Sequence, residues 1–269
     1  MFKPFTRLLA GAALGIALVT QGCAPAADDK TITIGTTVGD FTDMANESIK
    51  PMLEKQGYTV KIVEFTDYIQ PNVALAEGGL DVNVFQHKPY LDDFIRERNL
   101  PLSPVFQVPT APLGLYSGKL KRLEDAKAGS TVAVPNDSTN QARALVMLES
   151  LGWLTLKPGI NTLTASERDV ATNPKGIKLL PLEAAQLPRA REDADFAVIN
   201  GNYATSSGIA LTDALYQEPG YTYVNVGVMR TADVEKPWAK DVIAAYNSPA
   251  FRQWAEGKYK GYKMPESWR

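Results

Sequence analysis

Residues 131–151 predict a β-strand that leads through a short loop directly into a helix, and this unit constrains the rest of the chain. Residues 131–134 (TVAV) favour a strand, and a proline-containing turn (PND) closes it. Ser138 stands three residues before Gln141, which is the spacing of a capping box, so we expect Ser138 to be the N-cap of the helix. Units of this kind build α/β folds.

The same alternation continues along the chain. Strand patterns are predicted at 31–36, 58–65, 81–85, 105–108, 113–117, 177–180, 195–199 and 221–229. Helical patterns are predicted at 43–56, 70–77, 89–98, 120–126, 182–192, 236–246 and 249–258. Alternating strands and helices predict mostly parallel sheets with helices on both faces, so the predicted fold class is α/β.

The N-terminus predicts export. Lys3 and Arg7 precede an apolar run at 8–19 that is too short to span a bilayer and has the layout of a secretory signal peptide. The run leads to Gly22 and Cys23. Because Cys23 is the only cysteine of the chain, it cannot form an internal disulfide.

A small residue before a lone cysteine resembles the signal of bacterial lipoproteins, whose cysteine is lipidated and becomes the mature N-terminus. The resemblance implies a signal peptide at 1–22, a tether at 23–30 lipidated on Cys23, and a protein anchored to a membrane of the cell envelope and facing the periplasm. Thr20 departs from the pattern, because leucine is commoner at that position. In the alternative interpretation, cleavage occurs elsewhere and Cys23 is lost or stays free.

Composition and motifs disfavour several classes of protein. The formal net charge is −2 and no basic block occurs, so nucleic acid is not an expected partner. His87 is the only histidine, with no cysteine or carboxylate at ligand spacing, so we expect neither a metal site nor a cofactor. The sequence has no G-x-S-x-G, H-E-x-x-H or P-loop motif, which disfavours an enzyme. An exported hydrolase and a structural lipoprotein or adhesin remain as alternative classes.

Polar and aromatic side chains gather where predicted strands end. In an open parallel sheet the ligand lies outside the carboxyl ends of the strands. The residues predicted there are Phe85, Gln86, His87, Asn136, Arg143, Asn200 and Asn202, with Tyr68 and Tyr203 as further aromatic walls. One cation, several amides and several rings suit a small zwitterion with an apolar side chain.

Arg143 has two interpretations on the sequence alone. It lies near the start of its predicted helix, where a cation is mildly unfavourable, and no acidic residue stands three or four positions away. Within its own helix it is therefore predicted to be unpaired. It binds a carboxylate or other anion at the strand-to-helix turn, or it pairs with an acid from elsewhere in the fold or is solvated. Asp92 and Asp93 are interpreted as solvated charges on a helix face.

Several phrases in the mature chain resemble the methionine-binding lipoproteins of bacterial uptake transporters, the NlpA type. They are DYIQPN at 67–72, NVFQHKPY at 83–90, PLGLYS at 112–117 and VPNDSTNQAR at 134–143. The match continues through INGNYA at 199–204 and YVN at 223–225, and it covers nearly the whole mature chain in order.

The resemblance implies a bilobed periplasmic-binding-protein fold of type II, with a ligand cleft between the lobes and the permease and ATPase subunits of an ABC transporter as partners. It implies that the ligand side chain is bound by Tyr68, Phe85 and His87. It implies that the amino-acid backbone is bound by Arg143, Asn200 and Asn225. Methionine is the expected ligand, and a different small zwitterion or an anion is the alternative.

The implied lobes are discontinuous in sequence. We expect lobe 1 to comprise 31–112 and, on its return, 224–269, with lobe 2 at 113–223, and we expect a monomer. The turn at 37–41 (TVGDF) departs from the family, whose members often carry a proline-rich turn with a histidine there. This departure bears on the identity of the ligand.

Replacement of Cys23 tests the predicted anchor. We expect Cys23→Ala to leave the fold intact and to release the protein from the membrane fraction, because lipid on this cysteine is the only hydrophobic attachment that the sequence predicts. Sedimentation of membranes followed by immunoblotting measures the distribution. A variant that still sediments with membranes contradicts the lipoprotein interpretation.

Overall fold

The structure is a computed structural model that describes residues 30–269. The predicted signal peptide at 1–22, Cys23 and the tether up to residue 29 lie outside the described residues. The strands are β1 Thr31–Thr37, β2 Thr59–Phe65, β3 Val82–His87, β4 Leu102–Gln107, β5 Gly114–Ser117, β6 Thr131–Pro135, β7 Thr155–Leu156, β8 Val170–Thr172, β9 Lys178–Leu182, β10 Phe196–Ile199, β11 Ala214–Gln217 and β12 Asn225–Arg230. The α-helices are α1 Asp40–Asp43, α2 Lys50–Glu54, α3 Gln70–Ala76, α4 Lys88–Arg98, α5 Ser138–Ser150, α6 Leu187–Ala190, α7 Gly201–Ser206, α8 Pro237–Tyr246 and α9 Pro249–Lys258.

Two five-stranded sheets organise the described chain. The first has the order β2-β1-β3-β12-β4, and β12 runs antiparallel to both of its neighbours while the other four strands share one direction. The second has the order β11-β5-β10-β6-β9, and here β5 is the reversed strand. Each sheet is therefore mostly parallel with one reversed strand, and the predicted α/β class is confirmed.

Helices cover both faces of each sheet because the strands are apolar on both sides. In β10, Phe196 and Val198 pack in the same cluster as α5 residues, whereas Ala197 and Ile199 pack in the cluster that holds residues of α6 and α7. Helices α8 and α9 belong to the first sheet, since they share a core cluster with the residues of β1 and β3.

The chain crosses between the sheets twice, once between β4 and β5 and once between β11 and β12. The two crossings lie side by side. The Val108 N–H donates to the Asn225 carbonyl at 2.9 Å, and the Asn225 N–H donates to Thr110 Oγ1 at 2.8 Å. The start of β12 is thereby fastened to the first crossing.

Several predicted elements differ from the structure. The helix predicted at 120–126 is only a short 3-10 turn at Leu123–Asp125, and the strand predicted at 221–229 begins at Asn225. The helix predicted at 182–192 is shorter in the structure. A 3-10 turn at Ala184–Gln186 leads into α6, which is a single turn with a proline near its start. The predicted helix at 43–56 is continuous from α1 to α2, with a π-helical segment at Met44–Ile49 that precedes Pro51. Proline has no N–H for the regular ladder, which accounts for the change of winding.

The predicted capping box of α5 is wrong. Asp137, not Ser138, is the N-cap, and its carboxylate accepts from the Asn140 N–H at 2.9 Å. The Ser138 hydroxyl instead donates to Asp93 Oδ2 of α4 at 2.5 Å. Asp93 is buried, so its interpretation as a solvated charge is also wrong. A residue of α4, distant in sequence, thus binds the hydroxyl that the local spacing assigns to the cap.

Among residues 30–269, no helix combines the length and the apolar character needed to cross a membrane. In the same part of the chain, no group of three or more histidine, cysteine or acidic side chains is arranged to hold a metal ion.

Tyr246 offers a test of the core of the first sheet. Its side chain is fully buried, its ring stacks on Phe106 with centroids 4.2 Å apart, and its hydroxyl has no hydrogen-bond partner within residues 30–269. Because an unpaired buried hydroxyl costs free energy, we expect Tyr246→Phe to raise the free energy of unfolding by about 1 kcal/mol. Urea denaturation measures this change.

Tyr259→Phe is the matched control. The Tyr259 hydroxyl is also buried but donates to the Asp40 carbonyl at 3.2 Å, so its loss should lower the free energy of unfolding by about 1 kcal/mol. Two variants that shift stability in the same direction would contradict this account.

Candidate ligand-binding cleft

A cleft lies between the two sheets and encloses about 380 Å³, including its open mouth. Its walls come from both sides: the first sheet and its helices contribute Phe41, Tyr68, Phe85, Gln86, His87, Tyr90 and Asn225, and the second contributes Asn140, Arg143, Asn200, Gly201 and Asn202. Thr110 and Ala111 of the first crossing close its base. All six residues that the family resemblance implies for ligand binding line this one cleft, whereas Asn136 and Tyr203, which the sequence also predicts there, do not.

The aromatic end of the cleft is built around Tyr68. Its ring centroid lies 5.9 Å from that of Phe85 and 5.2 Å from that of Tyr203, and Tyr90 meets it edge-on. The Tyr68 hydroxyl donates to Asn202 Oδ1 at 2.6 Å, which joins the two lobes. Burial raises the pKa of Tyr68 well above its usual value, so this donor keeps its proton.

A β-bulge in β3 brings consecutive residues to the cleft. Opposite β12, the pairing steps from Gln86 directly to Val84, so Phe85 is the extra residue. In a regular strand neighbouring side chains point to opposite faces, whereas a bulge re-aims them. Phe85, Gln86 and His87 therefore all line the cleft.

Buried amides hold the bulged strand in place. Gln86 Nε2 donates to Asn72 Oδ1 at 2.7 Å and to Asn83 Oδ1 at 3.1 Å, and Asn72 Nδ2 donates back to Gln86 Oε1 at 2.8 Å. Because each of these amides has partners, the network carries no penalty for unpaired polar groups.

Three donors converge on Asn140 Oδ1 at the polar end. They are His87 Nε2 at 3.1 Å, Arg143 Nη1 at 2.7 Å and Asn200 Nδ2 at 3.0 Å. The Asn140 amide nitrogen is held by the Asp137 carboxylate, which fixes the direction of the oxygen. Asn140 was not among the predicted site residues, although it stands one helical turn before Arg143.

His87 is neutral and acts as a donor at this point. Its Nδ1 accepts from the Tyr90 N–H at 3.1 Å, so the proton lies on Nε2, which faces Asn140. Burial and, after it, the charge of Arg143 lower the pKa of His87 well below its usual value.

Arg143 is paired with Glu218, an acid from outside its own helix, and within that helix it has no ion-pair partner, as predicted. Glu218 follows β11, and its carboxylate accepts from Arg143 Nε at 3.0 Å and also from Arg143 Nη2. The two groups therefore form a bidentate ion pair. Arg143 Nη1 bonds to Asn140 of its own helix, and the guanidinium lies 4.3 Å from the centroid of the Tyr223 ring. The alternative in which an acid from elsewhere pairs with Arg143 holds, and Arg143 nonetheless reaches the cleft.

Asn200 and Asn225 line the cleft from different sheets, since Asn200 follows the end of β10 and Asn225 begins β12. Asn200 follows β10, and its Oδ1 is buried without a hydrogen-bond partner among the described residues. Gly201 beside it is required by close packing, because a Cβ there would lie 2.6 Å from the Ala111 carbonyl oxygen. Asn225 Nδ2 donates to the Phe85 carbonyl at 2.8 Å, which satisfies the backbone at the bulge.

A second contact between the lobes forms at the turn that departs from the family pattern. Asp40 is buried at the start of α1, and Thr205 Oγ1 of α7 lies 3.1 Å from both of its carboxylate oxygens. Burial raises the pKa of Asp40 to about 6 from its usual 3.8, and hydrogen bonds from Tyr262 and Thr205 only partly oppose this rise.

Two lobes joined by two adjacent crossings, with a polar and aromatic cleft between them, define a bilobed substrate-binding protein. The sequence model of the family described as NlpA lipoprotein matches residues 32–267, and the chain belongs to this family. The protein is accordingly a binding protein and not an enzyme.

Named relatives match the chain over nearly its full length. The D-methionine-binding lipoproteins MetQ of Salmonella typhi and of Escherichia coli K12 are each 38% identical over 265 residues, which cover 97% of this chain and 96% of those proteins. Among solved structures, a nutrient-binding protein of Burkholderia cenocepacia bound to methionine aligns with a TM-score of 0.82 and 39% identity, covering 87% of this chain and 99% of that one.

Asp40 predicts a pH dependence of stability. Its pKa is higher in the folded state than in the unfolded state, so the folded protein binds more protons between about pH 4 and 6 and loses stability as the pH rises through this window. Asp40→Asn removes the buried charge and should raise the free energy of unfolding by on the order of 2 kcal/mol at pH 7.5, and by well under half of that at pH 4.5. Urea denaturation at the two pH values measures both gains.

Asp43→Asn serves as the control for this prediction. Asp43 lies in the same helix, but its side chain is about half exposed and pairs with Lys258, so the substitution should not stabilise the protein at either pH. An equal gain from Asp40→Asn at pH 7.5 and 4.5 would show that burial of its charge is not the cause.

Proposed function

We propose that this protein is the substrate-binding lipoprotein of an ABC importer and that it captures methionine in the cleft between its lobes. The observation that carries the proposal is the two-ended cleft, which places unused donors and an unused acceptor at one end and four aromatic rings at the other. This arrangement fits an amino acid with an apolar side chain.

The polar end supplies partners for a carboxylate. A guanidinium has five N–H donors, and Arg143 uses three, at Nε and Nη2 with Glu218 and at Nη1 with Asn140. Two donors are left for a ligand carboxylate. Asn140 Oδ1 receives three donors although a side-chain amide oxygen has two lone pairs, so one donor can turn to the ligand. We assign this role to Asn200 Nδ2, because His87 and Arg143 are each held by a further hydrogen bond.

The same end supplies a partner for an ammonium group. Asn200 Oδ1 is a buried acceptor without a partner in the described chain, and leaving it unpaired is unfavourable. A ligand that donates there satisfies it. A zwitterion does so with its ammonium group while its carboxylate reaches Arg143.

The aromatic end suits a thioether. Tyr68, Phe85 and Tyr90 surround the space with mutually tilted or edge-on rings, and sulfur makes favourable contacts with ring edges. The MetQ relatives are named for D-methionine, and the related B. cenocepacia structure holds methionine, which supports methionine here. Both enantiomers belong in the test, because the contacts named above do not select one.

The roles of the individual residues belong to the same proposal. Tyr68, Phe85 and His87 hold the ligand side chain, and Arg143, Asn200 and Asn225 hold its amino-acid backbone. Their common position in the cleft supports these roles.

The lobe bounds and partners are proposed with the function. We place lobe 1 at 31–112 and 224–269 and lobe 2 at 113–223, because β1 to β4 and β12 share one sheet and β5, β6 and β9 to β11 share the other. The partners are the permease and ATPase subunits of the importer, and a lipid on Cys23 holds the protein at the envelope membrane, which the lipoprotein names of its relatives support.

Calorimetry on refolded protein tests the function. The mature protein is unfolded and refolded to remove any carried ligand and then titrated with L-methionine, D-methionine, alanine and glutamate. We expect methionine to bind and glutamate not to bind. Arg143→Lys should weaken methionine binding about tenfold to hundredfold, because lysine keeps the charge opposite Glu218 but lacks the planar fork.

Arg122→Lys is the matched control, since Arg122 is an exposed arginine of the second lobe that pairs only with Asp125. It should bind methionine as the parent does. If the parent binds no form of methionine, the proposed ligand is wrong, and if Arg143→Lys binds within threefold of the parent, Arg143 does not hold the carboxylate.

A further inference from the structure

Glu218 lies beside the cleft and contacts Arg143, the one cation among the described residues that line it. It is not among the residues that line the cleft, yet its carboxylate receives both Nε and Nη2 of Arg143. The two side chains are 5% and 11% exposed, so the pair is almost completely removed from water. A charge buried to this extent requires its partner.

Glu218 also connects Arg143 to the first crossing between the lobes. Its Oε1 accepts from the Leu113 N–H at 3.1 Å, and its own N–H donates to the Leu113 carbonyl at 3.1 Å. One face of the guanidinium lies over the ring of Tyr223, which belongs to the second crossing. Arg143 is therefore held in one plane, with the edge that carries its unused N–H groups turned away from Glu218.

The Arg143–Glu218 ion pair changes the net charge at the polar end of the cleft. Arg143 is the one cation among the cleft-lining residues of the described chain, and His87 is neutral. Glu218 offsets the charge of Arg143 through its paired hydrogen bonds to Nε and Nη2. An anionic ligand would bring an uncompensated negative charge into this buried space, whereas a zwitterion adds no net charge.

We propose that Glu218 is a positioning and specificity-determining residue, which orients the guanidinium of Arg143 for the ligand carboxylate and makes the cleft select zwitterionic ligands over anionic ones of the same shape. This inference rests on the proposed function and goes beyond it. The cleft recognises the α-ammonium group mainly because that group makes the ligand neutral overall. A ligand without it brings a net negative charge to an Arg143–Glu218 pair that is already neutral.

The test compares methionine with 4-(methylthio)butanoate, which has the same chain and carboxylate but no ammonium group. Calorimetry gives the ratio of the two dissociation constants for the refolded parent and for Glu218→Gln. The substitution keeps the shape of the side chain and removes its charge. We expect the preference for methionine to fall at least tenfold, equivalent to about 1.4 kcal/mol, with the anion gaining affinity relative to the zwitterion.

Two further variants make the result specific. Glu183→Gln removes an exposed carboxylate of the same lobe that accepts from Asn136, and it should leave the ratio within twofold of the parent. Glu218→Asp keeps the charge with a shorter reach, so the preference should persist within threefold even where both affinities fall. This variant also carries the test if Glu218→Gln does not fold, since a loss of preference in Glu218→Asp overturns the proposal.

Two outcomes distinguish failure of this inference from failure of the proposed function. A Glu218→Gln protein that loses affinity for both ligands by the same factor shows a purely structural role and overturns the proposal. If the parent itself binds no methionine, the proposed function fails and the inference falls with it.

Discussion

The side-chain amide oxygen of Asn140, Oδ1, accepts the hydrogen bonds on which the cleft depends. Its three donors come from the end of β3, from α5 and from the end of β10, so one atom joins both lobes. It points into the cleft because Asp137 caps the helix and holds the amide nitrogen. The beginning of a single helix thereby places the acceptor on which His87 Nε2, the Arg143 guanidinium and the Asn200 amide converge.

Burial of charge is the second constraint. Arg143 and Glu218 are both withdrawn from water, which is tolerable only because each group has the other and additional hydrogen bonds. Asp40 shows the other outcome, since its carboxylate accepts from hydroxyl groups but forms no ion pair among residues 30–269, and burial raises its pKa. Both sites lie where the lobes meet or cross, so the cost of burying these groups is linked to the position of one lobe against the other.

Local signals in the sequence predict local structure well. Hydrophobic alternation and turn residues predict most strands and helices, and the phrase at 83–90 locates Phe85 and His87 at the end of a strand. A local pattern is misleading where a distant residue competes with it. Ser138 has the spacing of an N-cap, but Asp93, 45 residues away, takes its hydroxyl. Glu218 carries no local signal at all, because it meets Arg143 from 75 positions along the chain.

The sequence alone was enough to predict the α/β class, the family and the residues that face a common cleft. These follow from short-range periodicity and from phrases that the chain displays in order. Only the tertiary structure decided which side chains pair: Glu218 with Arg143, Asp93 with Ser138, and three donors with Asn140. The reason is physical, because hydrogen bonds and desolvation act over a few ångströms, and folding alone determines which distant residues come that close.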